Sequence, residues 1–127
     1  MQHYVRPDGM PPVNGYSHAV AFTGNLVAVS GQLPLDRQGQ LVGPGDPVAQ
    51  ARQVFSNVAA ALAAAGATMS QVVKLTVYLT DLRDLDAFRQ AREEFIQADK
   101  PPASSLVRVS GLVHPGARVE IEALAAI

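Results

Sequence analysis

The chain has 127 residues, 48% of them hydrophobic and only 17% charged, with no cysteine and a formal net charge of −1. Such a length suits one domain, and the missing cysteine excludes a disulfide framework, a thiolate nucleophile, iron–sulfur clusters and thiolate zinc sites together. Ten basic residues against eleven acidic ones, scattered rather than clustered, disfavour nucleic acid as the main partner, and so few charges leave surplus apolar surface for a partner subunit to cover.

Residues 1–15, with Pro7, Gly9, Pro11, Pro12 and Gly15, read as an extended arm or loop. Met1 to Met10, which contains Arg6, Pro7 and Asp8, lacks the apolar core of a signal peptide, and the longest apolar stretch, Val58 to Ala67, is too short to span a membrane. The expectation is a soluble, cytoplasmic protein. Two short apolar runs, Ala19 to Phe22 and Leu26 to Ser30, flank Thr23-Gly24-Asn25 and suggest a hairpin. Gly31 to Gly45, with four glycines and two prolines, is a loop with room for function.

Asp46 as N-cap, Pro47 in the first turn and Gly66 as stop delimit a helix. Val48, Ala51, Phe55, Val58 and Leu62 form its apolar stripe. Val72 to Thr80 alternates as a half-buried strand, with Val73, Leu75, Val77 and Leu79 on one side. Helical spacing returns over Asp84 to Ala98 and stops at Lys100-Pro101-Pro102. Ser104 to Val109 and Arg118 to Ala126 complete the strands. This order predicts an α+β fold, a mixed β-sheet with two helices on one face. The other face, to which Thr76, Tyr78, Leu106 and Arg108 are assigned, suits a symmetric homo-oligomer with clefts between subunits.

Candidate chemistry is sparse. No Gly-x-Ser-x-Gly elbow occurs, and His3, His18 and His114 have no metal-ligand spacing, so surface or structural roles account for them best. Gly43-Pro44-Gly45-Asp46 precedes a helix, but Asp46-Pro47 places a carboxylate and removes a donor where a phosphate loop needs the reverse. Glu120 and Glu122 point the same way on the last strand. They are either solvated acids or, in an intersubunit cleft, groups able to hold a water or pass a proton.

Several motifs in order carry a resemblance: Gly15-Tyr16-Ser17, Val29-Ser30-Gly31-Gln32, the Gln50-Ala51-Arg52-Gln53 helix with Asn57, Val73 to Asp81, and Val119-Glu120-Ile121-Glu122-Ala123. From about Tyr16 to the C-terminus the chain resembles the RidA-like (reactive intermediate deaminase) family, also labelled L-PSP endoribonuclease. The resemblance implies a chorismate-mutase-like fold and a homotrimer with a small-molecule substrate in each intersubunit cleft. It also implies hydrolysis of enamines or imines such as 2-aminoacrylate to keto acids and ammonia, without metal or organic cofactor. Tyr16, Ser30 and Gly31 match the cleft lining, and Glu120 matches the catalytic glutamate that positions the water.

The family's carboxylate-clamping arginine is missing. Pro102-Ala103-Ser104-Ser105-Leu106 places Ser104 at that position and Leu106 where many members have cysteine. A serine gives a neutral hydrogen bond in place of a bidentate ion pair, a loss of about 1.5–3 kcal/mol of binding. Ser104 and Ser105 would then shape a pocket for another small molecule. Arg89, where many members have an asparagine lining the cleft, either restores the charge or is a solvated helix residue pairing with Glu93. Three readings follow: a deaminase of altered substrate choice, a non-catalytic trimer binding a ligand or a protein, and, last, an endoribonuclease or translation inhibitor.

Overall fold

The computed structural model describes residues 1–127. The strands are β1 (Gln2–Tyr4), β2 (Ala19–Ala21), β3 (Leu26–Gln32), β4 (Val72–Leu79), β5 (Ala103–Arg108) and β6 (Val119–Ala126); the helices are α1 (Pro47–Ala64) and α2 (Leu85–Glu93). Short 3-10 turns at Met69–Gln71 and Leu82–Asp84 precede β4 and α2.

The main sheet runs β3-β6-β4-β5, antiparallel except for the β4–β5 pair. A parallel pair needs a crossover, which α2 supplies, and α1 likewise joins β3 to β4 across the intervening β6. Both helices cover one face of the sheet. Leu75, Val77 and Leu79 of β4 and Val119, Ile121 and Ala123 of β6 are buried there against Phe55, Val58 and Leu62 of α1. Phe55 lies stacked between Phe88 and Phe95, with ring centroids 5.8 and 5.2 Å away. The mixed sheet with helices on one face is the architecture the sequence predicts.

The first helix begins and ends on its sequence signals. The Asp46 carboxylate accepts the Ala49 N–H at 3.0 Å, and Gly66 adopts a φ of +78° after Ala64. The second helix is shorter than its periodicity suggests, because Leu82–Asp84 is a 3-10 turn and the chain leaves the helix after Glu93. Phe95 N–H bonds back to Arg92 O, tightening the last turn while the ring still reaches Phe55.

The expected hairpin is not formed. β2 pairs with β1, so the first residues are not simply an open arm, and β3 pairs with β6. Asn25 and Ile127 exchange both backbone hydrogen bonds at 2.8 Å, which commits the Thr23–Asn25 turn to the C-terminal strand rather than to β2. The assignment of Leu106 and Arg108 to the uncovered face is also corrected. Parallel pairing sets Ser104 beside Leu75, Leu106 beside Val77 and Arg108 beside Leu79, on the helix side, and Leu106 packs against the core. Ser105 and Val107 take the uncovered face, beside Thr76 and Tyr78.

Candidate functional site

The candidate residues fall into two clusters on opposite faces of the sheet. One lies between the N-terminal segment, β5 and α2. Ser17 ties the segment down: its hydroxyl donates to Pro101 O at 2.6 Å, its N–H donates to Pro102 O at 2.9 Å, and it bridges to Ala103 in parallel. His3 Nδ1 donates to the same Pro101 carbonyl at 2.9 Å. Tyr16 is thereby set beside Ser104, its ring edge-on to His18 at 5.6 Å. Together with Asn14, Leu85, Phe88, Arg89, Arg92 and Leu106 they line a cavity of about 310 Å³.

The cavity contains a residue that sequence reading passed over. Arg92 is 9% exposed, donates to Asn14 O and Oδ1 at 3.1 and 3.0 Å, and lies over the Phe88 ring. Burial, and secondarily the charge of Arg89, hold its guanidinium below the usual arginine range. Gly15 admits it: the residue has a φ of +73°, and a Cβ there would come within 2.7 Å of Arg92 Nε. The available signal was position, since Arg92 stands four residues after Phe88 and seven after Leu85 on the apolar stripe. Arg89 does line the cavity, and its nearest carboxylate is Asp86 at 4.0 Å rather than Glu93.

The second cluster lies on the uncovered face. Glu120 and Tyr78 are cross-strand partners, but the Tyr78 hydroxyl donates to Glu122. That hydrogen bond first, then burial and the charges of Glu122 and Glu120, push the phenol above its ordinary pKa. The two carboxylates are therefore unlike: Glu122 is engaged, while Glu120 has no side-chain partner in the chain. Gly31 lies directly over Glu120, and a Cβ at Gly31 would stand 2.8 Å from the carboxyl carbon. The irregular step in β3 between Val29 and Gln32 brings this glycine over the acid. Ser30, exposed in the same step, accepts Gln32 Nε2 on its carbonyl at 3.0 Å. Ser105 accepts from Lys74 Nζ at 2.7 Å, so it shares this face with Glu120 and not the cavity with Ser104.

Polar side chains of α1, one half-buried and one fully buried, hold the second cluster in place. Asn57 donates to Leu33 O and Leu35 O, both at 3.0 Å, fixing the loop that follows Gly31. Gln50, fully buried, donates to Gly43 O and Gly116 O and accepts the Arg118 N–H, pinning the start of β6 just before Glu120. Arg118 is fixed in turn by two bonds to Asp84 at 2.8 and 3.0 Å. His18 bonds Pro11 O and His114 accepts the Gly116 N–H, so the histidines serve the backbone. No helix is long and apolar enough to cross a membrane.

Residues 7–127 match the family model described as endoribonuclease L-PSP. The chain belongs to that family, the RidA-like proteins. It is 40% identical to the 2-iminobutanoate/2-iminopropanoate deaminase of Capra hircus over 114 residues, 89% of this chain and 80% of that protein. It is 35% identical to the 3-aminoacrylate deaminase RutC of Acinetobacter baylyi, covering 95% of this chain and 94% of that one. Among solved structures, the Rid-family protein YyfB of Yersinia pestis superposes with a TM-score of 0.89 at 34% identity, over 97% of this chain and 96% of that chain.

Proposed function

We propose that this protein is a cofactor-free deaminase that hydrolyses the imine or enamine form of a small amino acid, with Glu120 as the group that handles the water. The observation that carries this reading is the free Glu120 carboxylate held under Gly31 beside a Tyr78–Glu122 pair that occupies the other acid. A carboxylate without a competing partner can accept a proton from water as its oxygen attacks the imine carbon. That proton passes to nitrogen to give the carbinolamine; the carbinolamine hydroxyl then gives up its own proton, which the same carboxylate relays to the amino group as the C–N bond breaks, so ammonia leaves and the new carbonyl completes the keto acid. Relatives named as imine and aminoacrylate deaminases point to the same reaction class.

The assembly we infer is a homotrimer with the substrate between subunits. Ser104 is aligned with Leu75 and Glu120 with Tyr78, so the Tyr16–Ser104 cavity and the Glu120–Gly31 cluster face opposite ways in one chain. A site using both needs the cavity of one copy and the carboxylate of the next. The uncovered face, with Val107 and Leu124 beside the acids, supplies apolar surface for such contact.

Ser104 offers the cavity no charge, so 2-aminoacrylate is not the expected best substrate. That neutral position also favours the second reading, a trimer that binds its ligand without turning it over. The near-neutral net charge gives nucleic acid little purchase, and the endoribonuclease reading ranks last. The deciding assay follows ammonia release from freshly generated imines of several amino acids. Turnover that falls at least about a hundredfold in Glu120→Gln supports the deaminase. No turnover on any imine by the folded protein favours the binding reading, and gain of 2-aminoacrylate activity in Ser104→Arg would show the rest of the site to be intact.

A further inference from the structure

Arg92 is a nearly buried cation that makes no ion pair: the charge of Glu93 is felt beside it, but from beyond salt-bridge range. Its hydrogen bonds go to Asn14, a neutral residue, and no carboxylate lies within ion-pairing distance. Two of its five donor hydrogens are used, which leaves capacity for a further acceptor. Arg89 stands three residues earlier on the same helix face and lines the same cavity. Its one carboxylate neighbour, Asp86, is at the limit of contact and fully solvated, a pairing worth little. The other walls bring hydroxyls from Tyr16 and Ser104 and apolar surface from Leu85, Phe88 and Leu106, but no acid.

The two guanidiniums also differ in depth. Arg92 is 9% exposed, whereas the Arg89 side chain retains 35% of its exposure. A ligand with separated anionic groups meets both charges; a single compact anion meets one fully. The cavity volume of about 310 Å³ stands at the small end of ligand sites.

We propose that this cavity is a binding site for a short dicarboxylate, with Arg92 gripping the inner carboxylate, Arg89 the outer one, and Tyr16 and Ser104 adding neutral hydrogen bonds. The inference rests on the deaminase reading only in making the natural ligand the imine of an acidic amino acid. A bound carboxylate would supply the counter-charge that folding leaves out, and bidentate geometry suits a guanidinium better than any neutral partner.

Calorimetric titration with succinate, butyrate and inorganic phosphate at low salt tests it without requiring turnover. Succinate is expected to bind at least about tenfold more tightly than the other two. Arg89→Gln should bring succinate down to the level of butyrate, and Arg92→Gln should abolish binding of both. Because Arg92→Gln removes a buried contact and can unfold the chain, Asn14→Asp is the second variant. It places a carboxylate on the atom that already accepts from Arg92, so it should keep or raise the melting temperature while weakening succinate at least about tenfold. Equal binding of succinate and butyrate, tighter binding of phosphate, or wild-type affinity in Asn14→Asp overturns the proposal. Failure of the deaminase reading shows instead as turnover unchanged in Glu120→Gln.

Discussion

Replacing Gly31 by alanine separates the placement of Glu120 from the stability of the fold. Gly31 does not have a positive φ, so its backbone accepts a side chain without strain. The new Cβ would meet only the far end of Glu120, with the carboxyl carbon at 2.8 Å where ordinary contact begins at 3.4 Å. The carboxyl group must retreat by at least about 0.6 Å, its nearer oxygen by about 1 Å, and a misplacement of that size can cost about a hundredfold in rate. Loss of glycine also narrows the unfolded ensemble, which offsets the local crowding by about 0.4–1 kcal/mol. The expected result is a kcat/KM for imine hydrolysis reduced about a hundredfold with an unchanged melting temperature. Ammonia release from an imine generated in the cuvette, alongside a thermal melt, measures both. Wild-type activity in a stable Gly31→Ala protein would refute the reasoning, because it would mean that the position of the Glu120 carboxylate does not matter.

Other perturbations report on the supports around the site. Gln50→Leu leaves Gly43 O, Gly116 O and the Arg118 N–H without their partner, so a loss of about 1–3 kcal/mol in denaturant unfolding is expected; a change within error would contradict the role assigned to Gln50. Asp81 is held at about 2, below its usual 3.8, chiefly by the side-chain hydrogen bond from Arg83. Its contribution is therefore present above pH 3.8 and lost as pH falls toward about 2, and Asp81→Asn should flatten the acid dependence of the melting temperature in that window. Identical slopes would rule the pair out as a source of acid sensitivity. For Tyr78, whose pKa is raised chiefly by its bond to Glu122, the stabilising contribution holds below pH 10 and is lost as pH rises through the folded value. Glu122→Gln should bring the last phenol absorbance transition to lower pH, and superimposable titrations would contradict the assignment.

Local signals were legible wherever the chain's own neighbours decide the structure. Asp46, Pro47 and Gly66 mark α1 because caps act through the backbone groups next to them. β4 from Val73 to Leu79 and β6 from Val119 to Ala125 alternate because one face of each is covered by helices. β5 carries no such pattern: Ser104 and Ser105 are both polar, Leu106 and Val107 both apolar, so the face each takes is set by parallel pairing with β4. The same is true of the Thr23–Asn25 turn, whose partner Ile127 lies at the far end of the chain.

The candidate site shows the same division. Glu120, Gly31, Tyr16 and Ser104 could be named from motif position, and the structure places them as two clusters rather than one. What sequence could not supply is which carboxylate is free, since the choice of Tyr78 between Glu120 and Glu122 is made by side-chain direction across the strand pair. Arg92 was hidden for another reason. A charged residue on an apolar stripe looks like a solvated end of a helix until a glycine, Gly15, is brought against it from 77 positions earlier.

The central claim, that cavity and carboxylate come from different copies, is tested most directly by subunit mixing. Glu120→Gln removes the carboxylate proposed to accept the water's proton, and Ser104→Phe fills the cavity, so each alone should be inactive. Refolded together in equal amounts, they should regain about a quarter of wild-type ammonia release, the share of interfaces that pair one intact carboxylate with one intact cavity. A mixture that stays as inactive as its components, while forming the same oligomer, would contradict the account.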